Sequence, residues 1–199
     1  FQGSRMYTTY KGAVEAEMME KIGYDVMAVG NHEFDDGPDG LRAFTNTVSF
    51  PVISGNLDLS RSNTLNGLVK NHAVLEVGGE KIGIISVLAT DTVDTSSPGP
   101  DVVFQDEADS LRADVAALTA EGVTKIIALT HVGVKKDMAL AGEVAGLDAV
   151  VGGHSHTKFS NTEDGAMAYP TMVGAVPVVS AYAYSKYLGH LVLSFDDEG

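Results

Sequence analysis

Asn31, His32 and Asp35 lie within the hexapeptide Gly-Asn-His-Glu-Phe-Asp at 30–35, directly after the apolar run 26–29. Each brings a different chemistry. The amide oxygen of Asn31 is a neutral ligand for a hard or borderline cation. The His32 imidazole can carry charge beside a phosphate or give a proton to a leaving group. Asp35, three residues on, can accept the second ring N–H of His32 and fix its tautomer. Far downstream, His131 follows the run 126–130, and Gly152-Gly153-His154-Ser155-His156 follows 149–151. Three imidazoles and an amide suit Zn, Mn, Co or Ni rather than Ca, which prefers oxygen. The chemistry expected of such a set is metal-assisted hydrolysis.

Each loop also has a plainer reading. Asn-His after a strand is commonly a turn, and His-x-His reads equally well as surface loop. Three such loops, each at the end of a buried strand, favour the metal site. His72 and His190 lack such company and read as ordinary loop and strand residues. Asn56 fits either the site or turn chemistry. Met6, Met18, Met19 and Met27 read as core packing, and Asp196-Asp197-Glu198 as a solvated end.

The elements that must position these residues alternate. Apolar spacing predicts a helix over 7–22, a strand at 24–29 and a short helix after Pro38. A strand follows at 51–54, then a polar loop over 59–72. Runs at 73–77 and 81–87 flank Gly78-Gly79 and predict a β-hairpin. After a loop at 90–100 come a helix over 106–121, a strand at 125–129, a helix near 136–146 and a strand at 149–151. Three further strands are expected at 171–173, 178–183 and 188–195. The pattern predicts one α/β (α+β) domain with a mixed sheet.

Composition narrows the partners. The chain has 199 residues, 44% of them hydrophobic, enough for a sizeable core. A net charge of −14 argues against a nucleic-acid surface. It also repels phosphoesters unless bound divalent cations reverse the local field. With no cysteine, a disulfide framework, a thiolate metal site and a cysteine nucleophile are excluded. No run reaches the roughly 18 apolar residues of a membrane helix. The start at Phe1-Gln2-Gly3-Ser4, without Met or a signal sequence, suggests a piece of something longer.

The hexapeptide and Gly-Gly-His-Ser-His closely resemble the 5′-nucleotidase family of calcineurin-like metallophosphoesterases, in its ecto-5′-nucleotidase branch. The likeness also takes in Phe1-Gln2-Gly3-Ser4, Tyr10-Lys11-Gly12 and Ala181-Tyr182-Ala183-Tyr184-Ser185-Lys186-Tyr187-Leu188-Gly189. It implies a two-sheet sandwich flanked by helices, with a two-metal site at the strand ends. Asn31, His131 and His154 match ligands of one metal, His156 a residue near the other, and His32 with Asp35 the catalytic pair. At 156 the branch typically carries an amide, so the imidazole departs from its pattern. The resemblance implies two divalent ions (Zn, Mn or Co), a nucleotide or other phosphoester substrate, and a periplasmic, secreted or cell-surface location.

The family's opening Asp-x-His and Gly-Asp strands have no counterpart in residues 1–199, nor does its C-terminal nucleotide-binding domain. The expectation is therefore an incomplete catalytic domain lacking the first strands, with at most a partial metal site. Glu15, Glu17 and Glu20, on a predicted helix, are poor substitutes for the absent carboxylates. The expected activity is 5′-nucleotidase, with nucleotide-sugar pyrophosphatase or 2′,3′-cyclic phosphodiesterase as alternatives. A thiohydrolase is a third reading, disfavoured by Phe34-Asp35, and a non-catalytic metal-binding module is the alternative of another class.

Overall fold

A computed structural model describes residues 1–196. It opens with two helices, α1 (Arg5–Tyr10) and α2 (Ala13–Ile22), where the apolar spacing predicts a single one over 7–22. The expectation fails because Lys11 and Gly12 take left-handed φ of 52° and 89°. α2 turns Ala16 and Met19 inward, so Met18 is 51% exposed and Met6 also faces solvent rather than the core. Glu15, Glu17 and Glu20 are engaged with Ser4, Lys21 and Ser49.

A small layer follows. β1 (Met27–Ala28) and β2 (Val52–Ile53) pair in parallel, with helix α3 (Gly37–Thr45) between them in sequence. β3 (Leu57–Asp58) pairs with a later segment, Val103–Phe104, a pairing the polar composition of 59–72 does not announce. Asn56 holds that junction: its amide donates to the Leu88 carbonyl at 2.7 Å and accepts the Leu88 N–H at 2.8 Å. Its role is structural.

The centre of the fold is a six-stranded mixed sheet. β4 (His72–Val77) and β5 (Glu80–Leu88) form the expected hairpin. Gly78 and Gly79 turn it with φ of 62° and 89°, the left-handed geometry a two-residue turn demands. The short helix α4 (Thr92–Thr95) and β6 (Val103–Phe104, the partner of β3) come next. Helix α5 (Glu107–Ala120), capped by the Asp106 side chain on the Asp109 N–H, leads to β7 (Lys125–His131). Helix α6 (Val134–Glu143) then leads to β8 (Ala149–Gly152), and β9 (Thr171–Val173) and β10 (Val176–Ser180) complete the sheet. Its order is β4-β5-β7-β8-β10-β9, parallel from β5 to β10 and antiparallel at both ends.

Parallel neighbours need crossovers, and α5 and α6 supply two of them. Leu111, Leu118 and Leu140 pack with Ile85, Val87, Ile126, Ala128 and Val150 in the core beneath these helices. Gly83 belongs to this interface, because a Cβ there would stand 2.6 Å from Leu118. The opposite sheet face meets the small layer, where Ile53 packs with Ala73 and Ile84.

The last expected strand also needs correction. Residues 188–195 form no strand; β10 already has β8 and β9 on its two sides, and Leu188 is 96% exposed. Of the acidic run at the end, only Asp196 lies within the described residues. No helix among the described residues is long and apolar enough to cross a membrane.

Candidate functional site

Alternation along β7 decides which way its side chains point. Ile126, Ala128 and Thr130 are buried, on the side of α5 and α6, so His131 falls on the other side, toward β1. Beyond β1 the chain enters a 3-10 turn, Asn31–Phe34, that presents Asn31 to the same spot. The Glu33 carboxylate shapes this turn by accepting the Gly30 N–H at 2.7 Å. Past β8, His154 completes the group.

The Asn31 Oδ1 lies 3.0 Å from His131 Nε2 and 3.3 Å from His154 Nδ1. The Thr95 hydroxyl, 3.4 Å from the Asn31 amide nitrogen, turns that oxygen toward the histidines. Space is the reason for the adjacent glycines. A Cβ at Gly153 would lie 3.1 Å from His131 Nδ1, and one at Gly30 3.0 Å from His131 Cε1. Two imidazole nitrogens and an amide oxygen at these separations fit one borderline divalent ion; ligands about 2.1 Å from a tetrahedral ion stand about 3.4 Å apart. Among the described residues no group of three or more His, Asp or Glu is placed to hold an ion.

His32 faces elsewhere. Its Nδ1 meets Asp35 Oδ2 at 2.8 Å, and the other Asp35 oxygen accepts the Ser96 hydroxyl at 2.7 Å. With Nδ1 so engaged, Nε2 of this 64% exposed side chain is left to meet a substrate. His156 stands apart from the Asn31 cluster: its ring packs edge-on to Tyr184 at 5.0 Å. His154 and His156 both carry left-handed φ, 72° and 50°. Such non-glycine geometry concentrates at functional sites. His72, read from sequence as an ordinary residue, pairs with the buried Asp114 at 3.0 Å.

The residues that sequence reading missed are supports: Glu33, Thr95, Ser96, and the pair Thr130–Asp137, bonded at 2.5 Å. Only Glu33 had a possible signal, as an acidic residue three positions after Gly30.

Burial pushes the His131 imidazole down to about 4; the Glu33 carboxylate opposes the shift and His154 adds to it. The ring stays neutral near pH 7, as a metal ligand must. In metal-free protein the unfolded chain binds the proton that folded His131 refuses. His131 therefore contributes stability above about pH 6.5 that is lost as pH falls toward 4. Asp137, pushed up to about 6 by burial, acts with the opposite sign, losing stability as pH rises from about 4 to 6. Urea unfolding of metal-free wild type and His131→Asn separates these. Wild type should lose about 2–3 kcal/mol relative to the variant between pH 7 and 4.5, and a pH-independent difference contradicts the assignment.

Calcineurin-like phosphoesterase is the family that matches residues 3–158. The 5′-nucleotidase of Diplobatis ommata is 44% identical over 209 residues, covering 98% of this chain and 36% of that protein. A solved 5′-nucleotidase precursor from Thermus thermophilus has a TM-score of 0.88 and 41% identity, over 92% of this chain and 38% of its own. The NAD nucleotidase of Haemophilus influenzae has a TM-score of 0.85 and 33% identity, over 93% of this chain and 39% of its own. The chain thus spans a little over a third of the length of these relatives. The match over 3–158, together with strand-end loops that gather Asn31, His131 and His154 beside a His32–Asp35 pair, places the chain in the calcineurin-like phosphoesterase family.

Proposed function

We propose that this chain forms part of the catalytic domain of a metal-dependent 5′-nucleotidase-type hydrolase that releases phosphate from nucleoside 5′-monophosphates. The observation that carries the reading is the convergence of Asn31, His131 and His154 at one point, with the His32–Asp35 pair on the same short turn. Asn31, His131 and His154 would hold one ion, with His156 near a second. The remaining ligands would come from outside residues 1–199, as would the domain that reads the base. A periplasmic, secreted or cell-surface location belongs to the same proposal, supported by the resemblance to ecto-type enzymes.

Members of the family are generally dinuclear metal enzymes. When bound, divalent cations would supply charge neutralisation at phosphorus and lower the pKa of a water. The protein's own groups do the rest. Asn31 and the neutral His131 ring set where the ions can sit. Asp35, fixed by Ser96, holds the proton on His32 Nδ1 and orients the ring. Protonated His32 then presents Nε2–H to a phosphoryl oxygen or to the leaving oxygen. In a chain of net charge −14, these cations and this imidazolium supply the positive field a phosphate needs.

The test is phosphate release from AMP with Mn or Zn, by this chain alone and by a protein extended on both sides to its relatives' length. The extended protein should hydrolyse AMP, stop when a chelator is added and recover with metal, while the chain alone shows little turnover. Chelator-insensitive hydrolysis, or an inert extended protein with its metal bound, overturns the reading. The 33% identity to an NAD nucleotidase favours pyrophosphate cleavage as a second reading. NAD and a nucleotide sugar therefore join AMP in the assay.

A further inference from the structure

Asp137 is a carboxylate only 2% exposed, in the first turn of α6, with no part in the chemistry above. Keeping a carboxylate in an interior costs several kcal/mol unless it is well bonded. Its surroundings show what it touches. One oxygen takes the Thr130 hydroxyl proton at 2.5 Å. The other presses against Gly152 so closely that a Cβ there would lie 2.2 Å away.

The position along the strands matters more than the bond. The β7–β8 ladder runs Ile127↔Ala149, Ala128↔Val150, Leu129↔Val151 and stops. Thr130 and Gly152 are the next residues on the two strands, one step past the last ladder pair. His131 follows Thr130 directly, and His154 follows Gly152 by two residues. Where β7 and β8 stop bonding to each other, though Thr130 and His131 stay paired with β5 and Gly152 with β10, Asp137 reaches across from α6 and touches both strands. α6 in turn packs into the core through Leu140 and Ala141, so the carboxylate is fixed from behind.

We propose that Asp137 is a positioning residue that, through Thr130 and Gly152, sets the separation of the His131 and His154 rings; its bearing on metal binding rests on the reading of the site given above. Asp137 touches neither histidine nor substrate. It also accounts for glycine at 152, where the limit is space for a carboxylate oxygen. An Asp137 that merely docked α6 would affect stability and leave the ring pair unmoved.

The two rings lie edge to face with centroids 5.2 Å apart, close enough for a cross-peak between their protons in NMR spectra of the metal-free chain. Asp137→Ala and Thr130→Val should weaken or abolish that cross-peak while the rest of the spectrum stays folded. Asp137→Asn, which keeps an acceptor for Thr130, should retain it. Titration of the extended protein with Co2+ alone, followed by its visible absorption, should show affinity lower by about 10- to 100-fold in the first two variants and near wild type in the third. If Asp137→Ala does not fold, Thr130→Val decides. Folded Asp137→Ala and Thr130→Val variants that keep both cross-peak and Co2+ affinity overturn the proposal. An extended wild-type protein that binds no Co2+, beside a cross-peak that depends on Asp137, supports the positioning role and sinks the metal-site reading instead.

Discussion

His32→Ala in the extended enzyme lowers kcat for AMP by roughly 10²- to 10⁴-fold and leaves bound metal unchanged. His131→Ala lowers activity at least as far, but by losing the metal. The two histidines sit 99 positions apart in sequence and at one site in space, yet their settings assign them different work. His131 is buried and held neutral, with Nε2 on the Asn31 oxygen. His32 is exposed, with Nδ1 on Asp35 and Nε2 free of the Asn31 cluster. Metal content measured beside kcat separates the two roles. Leaving-group dependence then separates proton donation from simple charge. A p-nitrophenyl ester leaves without a proton, so a general-acid His32 predicts a much smaller loss on that substrate than on AMP. An equal loss on both means that His32 acts only as a cation. Asp35→Asn should fall between wild type and His32→Ala, because the ring keeps its place and loses the carboxylate that fixes its proton. His131→Ala with full metal occupancy and retained activity contradicts the assignment.

What the sequence made legible follows from where the information lies. Asn31, His131 and His154 each stand just after an apolar run. β7 and β8 run side by side in one sheet and β1 packs against β7, so the loops that follow them converge, whatever the distance along the chain. The hairpin at Gly78-Gly79 announces itself by local turn chemistry, and the helix over 106–121 by its apolar spacing. The supports were not legible, because they are set by packing. Ser96 and Thr95 come from the end of α4, in a stretch the sequence reads as a polar loop, and touch Asp35 and Asn31 only once the chain is folded. Asp137 reads as one more charge on an amphipathic helix until Gly152 is placed against it.

The misreadings have the same origin. Alternation over 188–195 is a real strand signal, but a strand also needs a bonded neighbour, and no ladder among the described residues takes in 188–195. The stripe over 7–22 is real as well. It says nothing of the left-handed step at Lys11 and Gly12, which splits the helix and leaves Met6 and Met18 in solvent.

Phe34→Ala, two residues from His32, should destabilise the protein by about 3–5 kcal/mol. A small domain has a total stability of roughly 5–15 kcal/mol. Phe34 is 0% exposed and packs in the core beside Leu41, Phe44, Leu88 and Val102, so truncation leaves a cavity that those neighbours close only in part. Its carbonyl also accepts the Ser97 N–H at 3.2 Å, tying the turn to the loop that supplies Ser96. Collapse of the turn would therefore disturb the Asp35–Ser96 contact as well. Urea unfolding of the metal-free chain gives the comparison. Phe34→Ala should show a midpoint far below wild type, Phe34→Leu a much smaller shift, and the exposed His32→Ala should stay within about 0.5 kcal/mol. A Phe34→Ala loss under about 1 kcal/mol would mean that the turn is held by its hydrogen bonds alone. The hexapeptide then splits residue by residue: Phe34 fixes the turn to the core, and that fixed turn holds Asn31 and His32, on its other sides, where the proposed metal and phosphate would be met.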